Sequence, residues 1–598
     1  MAAVGIFHQA PIVKVSSSNL DNEIKNKSHY IFPCSDLKHK QQKSRGLSLR
    51  PLMSMASSSV FEETHRPVKR HGPSLWADIS FSFDKQVQER YEEAVEALKE
   101  EIRSMVMAIK DSKPKNKMML IDTLERLGVA YHFEKEIEDQ IEQIFKFHAQ
   151  DDNDLLNTSL YFRLFRQHGY NVPSSVFNKF KDKDNKFKKT LTGDIEGLLS
   201  LYEASYLMYH GEDTLEEAMV FTTHYLNEVK SKLNSYLQAK VTRALYRPIH
   251  RGVTILEARS YISIYEKKES KNELLLRLAK LNFKLLQNMY QKELDDLFKW
   301  WKGLNLTSKL PYLRDTMVEN YFWAVAINFE PQYSFARLAV AKVILFTAVI
   351  NDTCDSYATS EEVDLFMEIF QRWDIKEADW LPNCMMIACK FLSSEYEEFD
   401  NEVSKQGRSY AISYAIKAMK ELGRGYHKKN KWYTGQEMPT FQEHISNAPS
   451  VSLVYVIVSA SLMGMESASE EAFDWLVSEP KIAEAAGHYF RYMNDIGSYE
   501  REHNSGQFPT AVDCYMKENG VSTQETFDRF VEFGENAWKT VNKEWVNETS
   551  SIPRHILKPI LNYTRVTFVT YQHGDGYTYA ELGLRADIDA LLFNPIIV

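Results

Sequence analysis

Val340–Thr359 reads VAKVILFTAVINDTCDSYAT: an apolar run of helical length leads straight into Asn351, Asp352 and Asp355. Asn351 and Asp355 are four apart, which puts them on one face of a helix. Hard divalent cations such as Mg2+ take oxygen ligands, and Mg2+ commonly bridges one or two carboxylates to the phosphates of a substrate. Taken alone, the stretch also reads as a helix end with solvated acids. Arg491–Glu502 (RYMNDIGSYERE) repeats the design far away in the chain. Asn494, Ser498 and Glu502 are spaced by four, so three oxygen-bearing side chains form one helical stripe. The segment before them, Ala485–Met493, is apolar and aromatic. Two such clusters, facing each other across a cavity, could hold a small set of metal ions against a diphosphate.

The rest of the chain surrounds these two stretches with helices. Gln86–Ile109, Leu198–Tyr209, Leu215–Leu237 and Leu274–Trp301 carry apolar residues at three-and-four spacing with charged faces between. Little of the sequence alternates with period two, and the expected fold is all-α. Asp111–Lys117 and Lys181–Lys188 read as polar connections. Residues 1–58 differ in composition: they are rich in Ser, and Lys and Arg exceed three acids, Asp21, Glu23 and Asp36. That is the composition of an organelle transit peptide, the other reading being a tail without targeting value. The remaining chain of about 540 residues exceeds one core, so two domains are expected.

The net charge of -10 comes with no basic tract for nucleic acid. Five cysteines (Cys34, Cys354, Cys384, Cys389, Cys514) in so long a chain suggest reduced thiols. No uninterrupted apolar stretch reaches the roughly 18 residues of a membrane span, and Lys342 breaks the longest.

The motifs resemble those of plant class I terpene synthases over nearly the whole chain. Asn494, Asp495, Ser498 and Glu502 match (N/D)Dxx(S/T)xxxE. Asn351-Asp352-x-x-Asp355 stands for DDxxD, with Asn in place of the first aspartate. Arg314-Asp315-Thr316 stands for RxR, with Thr in place of the second arginine, and Tyr321-Phe322-Trp323 and Glu330-Pro331-Gln332-Tyr333 follow. Arg66-Pro67 through Trp76 matches R(P)x8W.

The resemblance implies an N-terminal α-barrel over 59–280 and a C-terminal class I terpenoid synthase helical bundle over 281–598. It implies a prenyl diphosphate substrate and three Mg2+ (or Mn2+) ions. Their ligands would be Asn351, Asp352 and Asp355 on one wall and Asn494, Ser498 and Glu502 on the other. Arg314 and Arg491 would hold the diphosphate, Trp323 would line the pocket, and Tyr571 and Asp575, in the loop YQHGDGYT, would act in the closed site. Ser450-Val451-Ser452 would break a helix beside the cavity, and Arg66–Asp78 would cover its mouth. Asp151–Asp154 is not the DxDD of protonation-initiated cyclases and reads as a solvated loop. A monomer is expected. Asn351 still offers an oxygen but lacks the charge of an aspartate, so metal affinity should drop, and Thr316 removes a cation from the diphosphate; together they open the alternative of a non-catalytic relative. Val176–Leu191 and Leu198–Asp213, with the leader, resemble casbene-synthase-like enzymes. The expectation is therefore a plastid diterpene synthase acting on geranylgeranyl diphosphate, and the alternative a sesquiterpene synthase acting on farnesyl diphosphate.

Overall fold

The computed structural model describes residues 74–79, 81, 85–108, 112–147, 154–373, 375–434, 438–504 and 509–597, all within one compact unit. The leader, Arg66-Pro67 and Asp151–Asn153 lie outside the described residues. Among those described there is no strand, only an isolated backbone bridge between Lys181 and Phe187.

The N-terminal lobe runs from Lys85–Ala108 through Thr254–Tyr265. Side-chain caps set its helix boundaries. Asp154 accepts the Asn157 N–H at 3.1 Å and starts Leu155–Gln167, so it is a helix cap and not a solvated loop residue. The single helix expected over Leu215–Leu237 is two, Asp213–Val229 and Ser235–Tyr246. Asn234 divides them: its side chain accepts the Leu237 N–H at 2.9 Å, a local bond that competes with helix continuation. Asp111–Lys117 is also shorter than expected as a connection, because Pro114 opens Pro114–Arg126. The 32-residue helix Glu273–Leu304, capped by Asn272, leads into the second lobe.

The second lobe is a helical bundle. We label its helices α1 Met317–Ile327, α2 Ser334–Ser356, α3 Tyr410–Tyr433, α4 Phe441–Val451, α5 Val454–Met463, α6 Lys481–Asn504, α7 Thr523–Glu548 and α8 Arg554–Tyr571. Every residue of α1 is buried, and nine of the ten in α5, the mark of helices inside a core. The expected break at Ser450–Ser452 is present: α4 ends at Val451, and Leu453 takes φ 66° before α5. The Ser452 carbonyl is not open to the cavity, because the Tyr563 hydroxyl donates to it.

Arg337 ties the bundle to Glu273–Leu304. It is fully buried, donates to both carboxylate oxygens of Glu293 at 2.6 and 2.9 Å, and to the carbonyls of Asn328 and Glu330. The EPQY motif thus sits in a structural joint, with Glu330 itself paired to Lys558. The lobes meet through polar contacts: the His250 ring and Asn542 at 2.7 Å, Arg251 and Glu535 at 2.6 Å, and Arg247 and Asp587 at 2.7 Å.

Contrary to the expectation from sequence, Pro331–Cys354 and Phe441–Met463 are long and apolar enough to cross a membrane. Two thirds of each is buried inside the fold, so they read as core helices of the bundle. Lys342, which interrupts the apolar run of α2, pairs with Glu395 at 2.8 Å above the Trp300 ring. The four described cysteines are buried, and no disulfide forms among the described residues.

Candidate active site

A cavity of about 410 Å³ opens in the bundle, with α1, α2, α5 and α6 in its wall. Its inner surface is aromatic. Trp323 stands edge-on to Phe490 and Tyr563 at 6.1 and 5.9 Å, and Phe490 meets Tyr571 edge-on at 5.8 Å. These edge-to-face contacts fix the rings and leave faces free for another group.

On the α2 wall, Asn351 reaches the cavity half-buried. Asp352 is buried and engaged. The backbone N–H of Arg314 donates to it at 3.2 Å, Nε at 3.1 Å and Nη2 at 2.8 Å. The expectation that Asp352 is a free metal ligand therefore needs correction: its carboxylate orients Arg314. Burial works against the Arg314 charge and Asp352 outweighs it, so the guanidinium is held above its ordinary pKa. The side chain of Asp355 lies outside the described residues. Thr316 caps no helix by its side chain; its hydroxyl lies 3.4 Å from the Tyr577 hydroxyl.

On the α6 wall, Arg491, Asn494 and Glu502 line the cavity. Arg491 Nε donates to Asp495 at 3.0 Å and Nη2 to the Asn494 amide oxygen. The Asn494 amide donates to the Tyr571 hydroxyl at 2.9 Å. Ser498 is fully buried and donates its hydroxyl to the Asn494 carbonyl at 2.8 Å. Burial pushes the Glu502 carboxyl up, and Lys429, Arg491 and Arg501 outweigh it and hold the group below its usual range. Asp495 goes the other way: burial raises it more than Arg491 lowers it, and Oδ2 has no hydrogen-bond partner.

The loop after α8 folds over the opening. Asp575 is buried, accepts the Thr578 N–H at 3.0 Å and pairs with Arg501 at 3.3 Å. Tyr577 donates to Asn320 at 2.7 Å. Gly497 permits the approach, since a Cβ there would stand 3.2 Å from the backbone of Gly574 and Asp575. Ser74 and Leu75 also reach the mouth, and Trp76 is anchored by its indole N–H on Asp589 at 3.1 Å. Ser74 begins a turn here and not the first helix.

Lys429, Arg501 and Glu319 line the cavity and were not predicted. Lys429 belongs to HKKNK, which reads as a solvated charge run. Arg501 adjoins Glu502, and its pairing with Asp575 joins residues 74 apart. Glu319 closes the run Arg314-Asp315-x-x-x-Glu319, which is legible as a motif but gives the glutamate no role in the site by itself.

Among the described residues no three acids, histidines or cysteines gather as a metal site. The oxygen donors that the cavity wall does bring together, besides the engaged Asp352, include the Asn494 amide and the Glu502 carboxylate on α6 and the Asn351 amide on α2. All are oxygen, which suits a hard cation and not zinc.

Comparison with known proteins agrees with this geometry. Residues 75–245 match the family model for the terpene synthase N-terminal domain, and 302–540 that for the terpene synthase family metal binding domain. The chain is 44% identical to gamma-cadinene synthase of Ocimum basilicum, over 90% of this chain and 99% of the relative. It is 44% identical to gamma-curcumene synthase of Pogostemon cablin (86% and 94% covered) and 43% identical to germacrene A synthase of the same plant (89% and 99%). Isoprene synthase from grey poplar leaves (Populus x canescens), solved with three Mg2+ ions and dimethylallyl-S-thiolodiphosphate, superposes with a TM-score of 0.79 at 31% identity, covering 86% of this chain and 98% of that one.

These relatives overturn the likeness to casbene-type diterpene synthases, because cadinene, curcumene and germacrene A are sesquiterpenes. Val176–Leu191 and Leu198–Asp213, which with the leader carried that likeness, contribute no residue to the cavity wall. The fold is that of a bilobal, all-α class I terpenoid synthase, and the chain belongs to the terpene synthase family.

Proposed function

We propose that the protein is a class I sesquiterpene synthase that ionises farnesyl diphosphate and converts the carbocation into a C15 terpene. The observation that carries this reading is the 44% identity, over nine tenths of the chain, to gamma-cadinene synthase. Mg2+, three ions as in the poplar enzyme, supplies neutralisation of the leaving diphosphate. Asn351 and Asp355 on α2 and Asn494, Ser498 and Glu502 on α6 would hold it.

The protein's own groups do the rest. Arg314 and Arg491 are fixed cations, each oriented by a buried aspartate, and face the diphosphate as the C–O bond breaks and its electron pair leaves with oxygen. Trp323, Phe490 and Tyr571 give the cation aromatic surface that steadies charge without attacking it. The 575–581 loop and Ser74–Trp76 exclude water until the cation loses a proton or meets a chosen nucleophile.

The test is incubation with Mg2+ and, separately, C10, C15, C20 and C25 prenyl diphosphates, followed by gas chromatography–mass spectrometry. A C15 product lost on adding EDTA is expected. A C20 product without a C15 product refutes the substrate assignment. No product from any of them leaves a non-catalytic relative. Plastid import by residues 1–58 is a separate proposal, resting on composition, and is tested by fusing them to a fluorescent protein in leaf cells.

A further inference from the structure

Lys429 on α3 lines two cavities at once: the large one, and a small one behind α6 walled by His444, Asp495 and Thr510. Both cavities also share Arg491 and Glu502. The cations around the large cavity differ in how they are engaged. Arg314 lies on Asp352 through three donors. Arg491 lies on Asp495 and Asn494. Arg501 spans Asp575 at 3.3 Å and Glu502 at 3.5 Å. Lys429 shares the wall of the small cavity with Glu502 and Asp495, and that of the large one with Glu502, which sets its ammonium among those carboxylates.

Glu502 is the carboxylate that a metal ion takes. Once a divalent ion binds there, the Lys429 ammonium loses its counter-charge in a half-buried position, which is costly unless another anion arrives. The lysine stem is long and its donors rotate freely, so the ammonium reorients without moving α3. On the opposite wall Arg314 is followed by a hydroxyl at Thr316 in place of a second cation.

We propose that Lys429 is a further diphosphate-binding residue: it neutralises Glu502 before the metal binds and turns to the diphosphate once the metal has taken that carboxylate. This rests on the function proposed above.

The test is calorimetric titration of inorganic pyrophosphate into the full chain at saturating Mg2+, for wild type, Lys429→Met and Lys429→Arg, with a parallel titration of Mg2+ alone. One charge-assisted hydrogen bond predicts that Lys429→Met binds pyrophosphate about ten- to a hundredfold more weakly. Lys429→Arg is expected to restore most of the affinity, and Mg2+ alone to bind Lys429→Met as tightly as wild type or more so. Thr316→Arg in the Lys429→Met background is expected to recover part of the loss and shows that the doubly substituted chain still folds. Unchanged pyrophosphate affinity in Lys429→Met would overturn the proposal and leave Lys429 a counter-ion of Glu502. Weaker Mg2+ binding that accounts for the whole loss would overturn it too. If wild type itself binds no pyrophosphate with Mg2+, the functional reading falls and the inference with it.

Discussion

Glu319 makes stability depend on pH in a way that one substitution isolates. It lies in the first turn of α1 at 6% exposure, with Oε2 buried and lacking a hydrogen-bond partner. Burial pushes its carboxyl up to about 8 from an ordinary 4.5; its own backbone N–H works against the rise, and Asp315 and Glu581 add to it. The folded state therefore keeps a proton that the unfolded state gives up. Stability from this group is fully present below pH 4.5 and is lost as pH rises to about 8. One pH unit between those limits is worth about 1.4 kcal/mol. At pH 7 the cost is thus about 3 kcal/mol.

Glu319→Gln removes the titration. A buried amide adds an offset of its own, but that offset does not vary with pH. Urea unfolding of both proteins at pH 5, 6, 7 and 8 gives the stability difference between them. The difference should shift in favour of the variant by about 1.4 kcal/mol per pH unit up to pH 7 and level off above pH 8. A difference that stays constant from pH 5 to 8 would refute the reasoning.

Three other perturbations bear on different parts of the account. Glu502→Gln takes the charge from the α6 metal wall, so product formation should fall by at least about a hundredfold, with a higher Mg2+ requirement in steady-state assays; unchanged activity would remove Glu502 from the site. Arg337→Met leaves Glu293 buried without its cation, with only the Tyr321 and Ser334 hydroxyls donating to it, which should cost about 3 kcal/mol in denaturant unfolding. Gly464→Ala places a Cβ 2.2 Å from the Ala336 backbone where α5 meets α2, and should cost about 3 kcal/mol or prevent soluble expression.

The helices that carry the site were readable because their chemistry is local. The i, i+4 spacing of Asn351 with Asp355, and of Asn494, Ser498 and Glu502, needs no knowledge of neighbours. What the residues touch was not readable. Asp352 and Arg314 look like two binding residues in sequence, yet across 38 residues they bind each other. Ser498 falls on the metal stripe, but a serine in a helix can donate back to the carbonyl four residues earlier, and it does. Lys429 sits among like charges that suggest a solvated face, and only the fold brings it to the cavity that Glu502 also lines. Asn234 was an unrecognised cap inside a run whose apolar spacing was continuous. Substrate length was misjudged because the telling segments lie in the N-terminal lobe, away from the cavity that measures the chain.

The central claim is that the cavity takes a fifteen-carbon chain. Its most direct measurement is a competition: the protein, saturating Mg2+, and equal concentrations of farnesyl and geranylgeranyl diphosphate, with both product pools quantified from one reaction. The ratio of products then reports the ratio of kcat/KM values. The account predicts that C15 terpenes dominate by at least about tenfold. Equal pools, or an excess of C20 product, would contradict it.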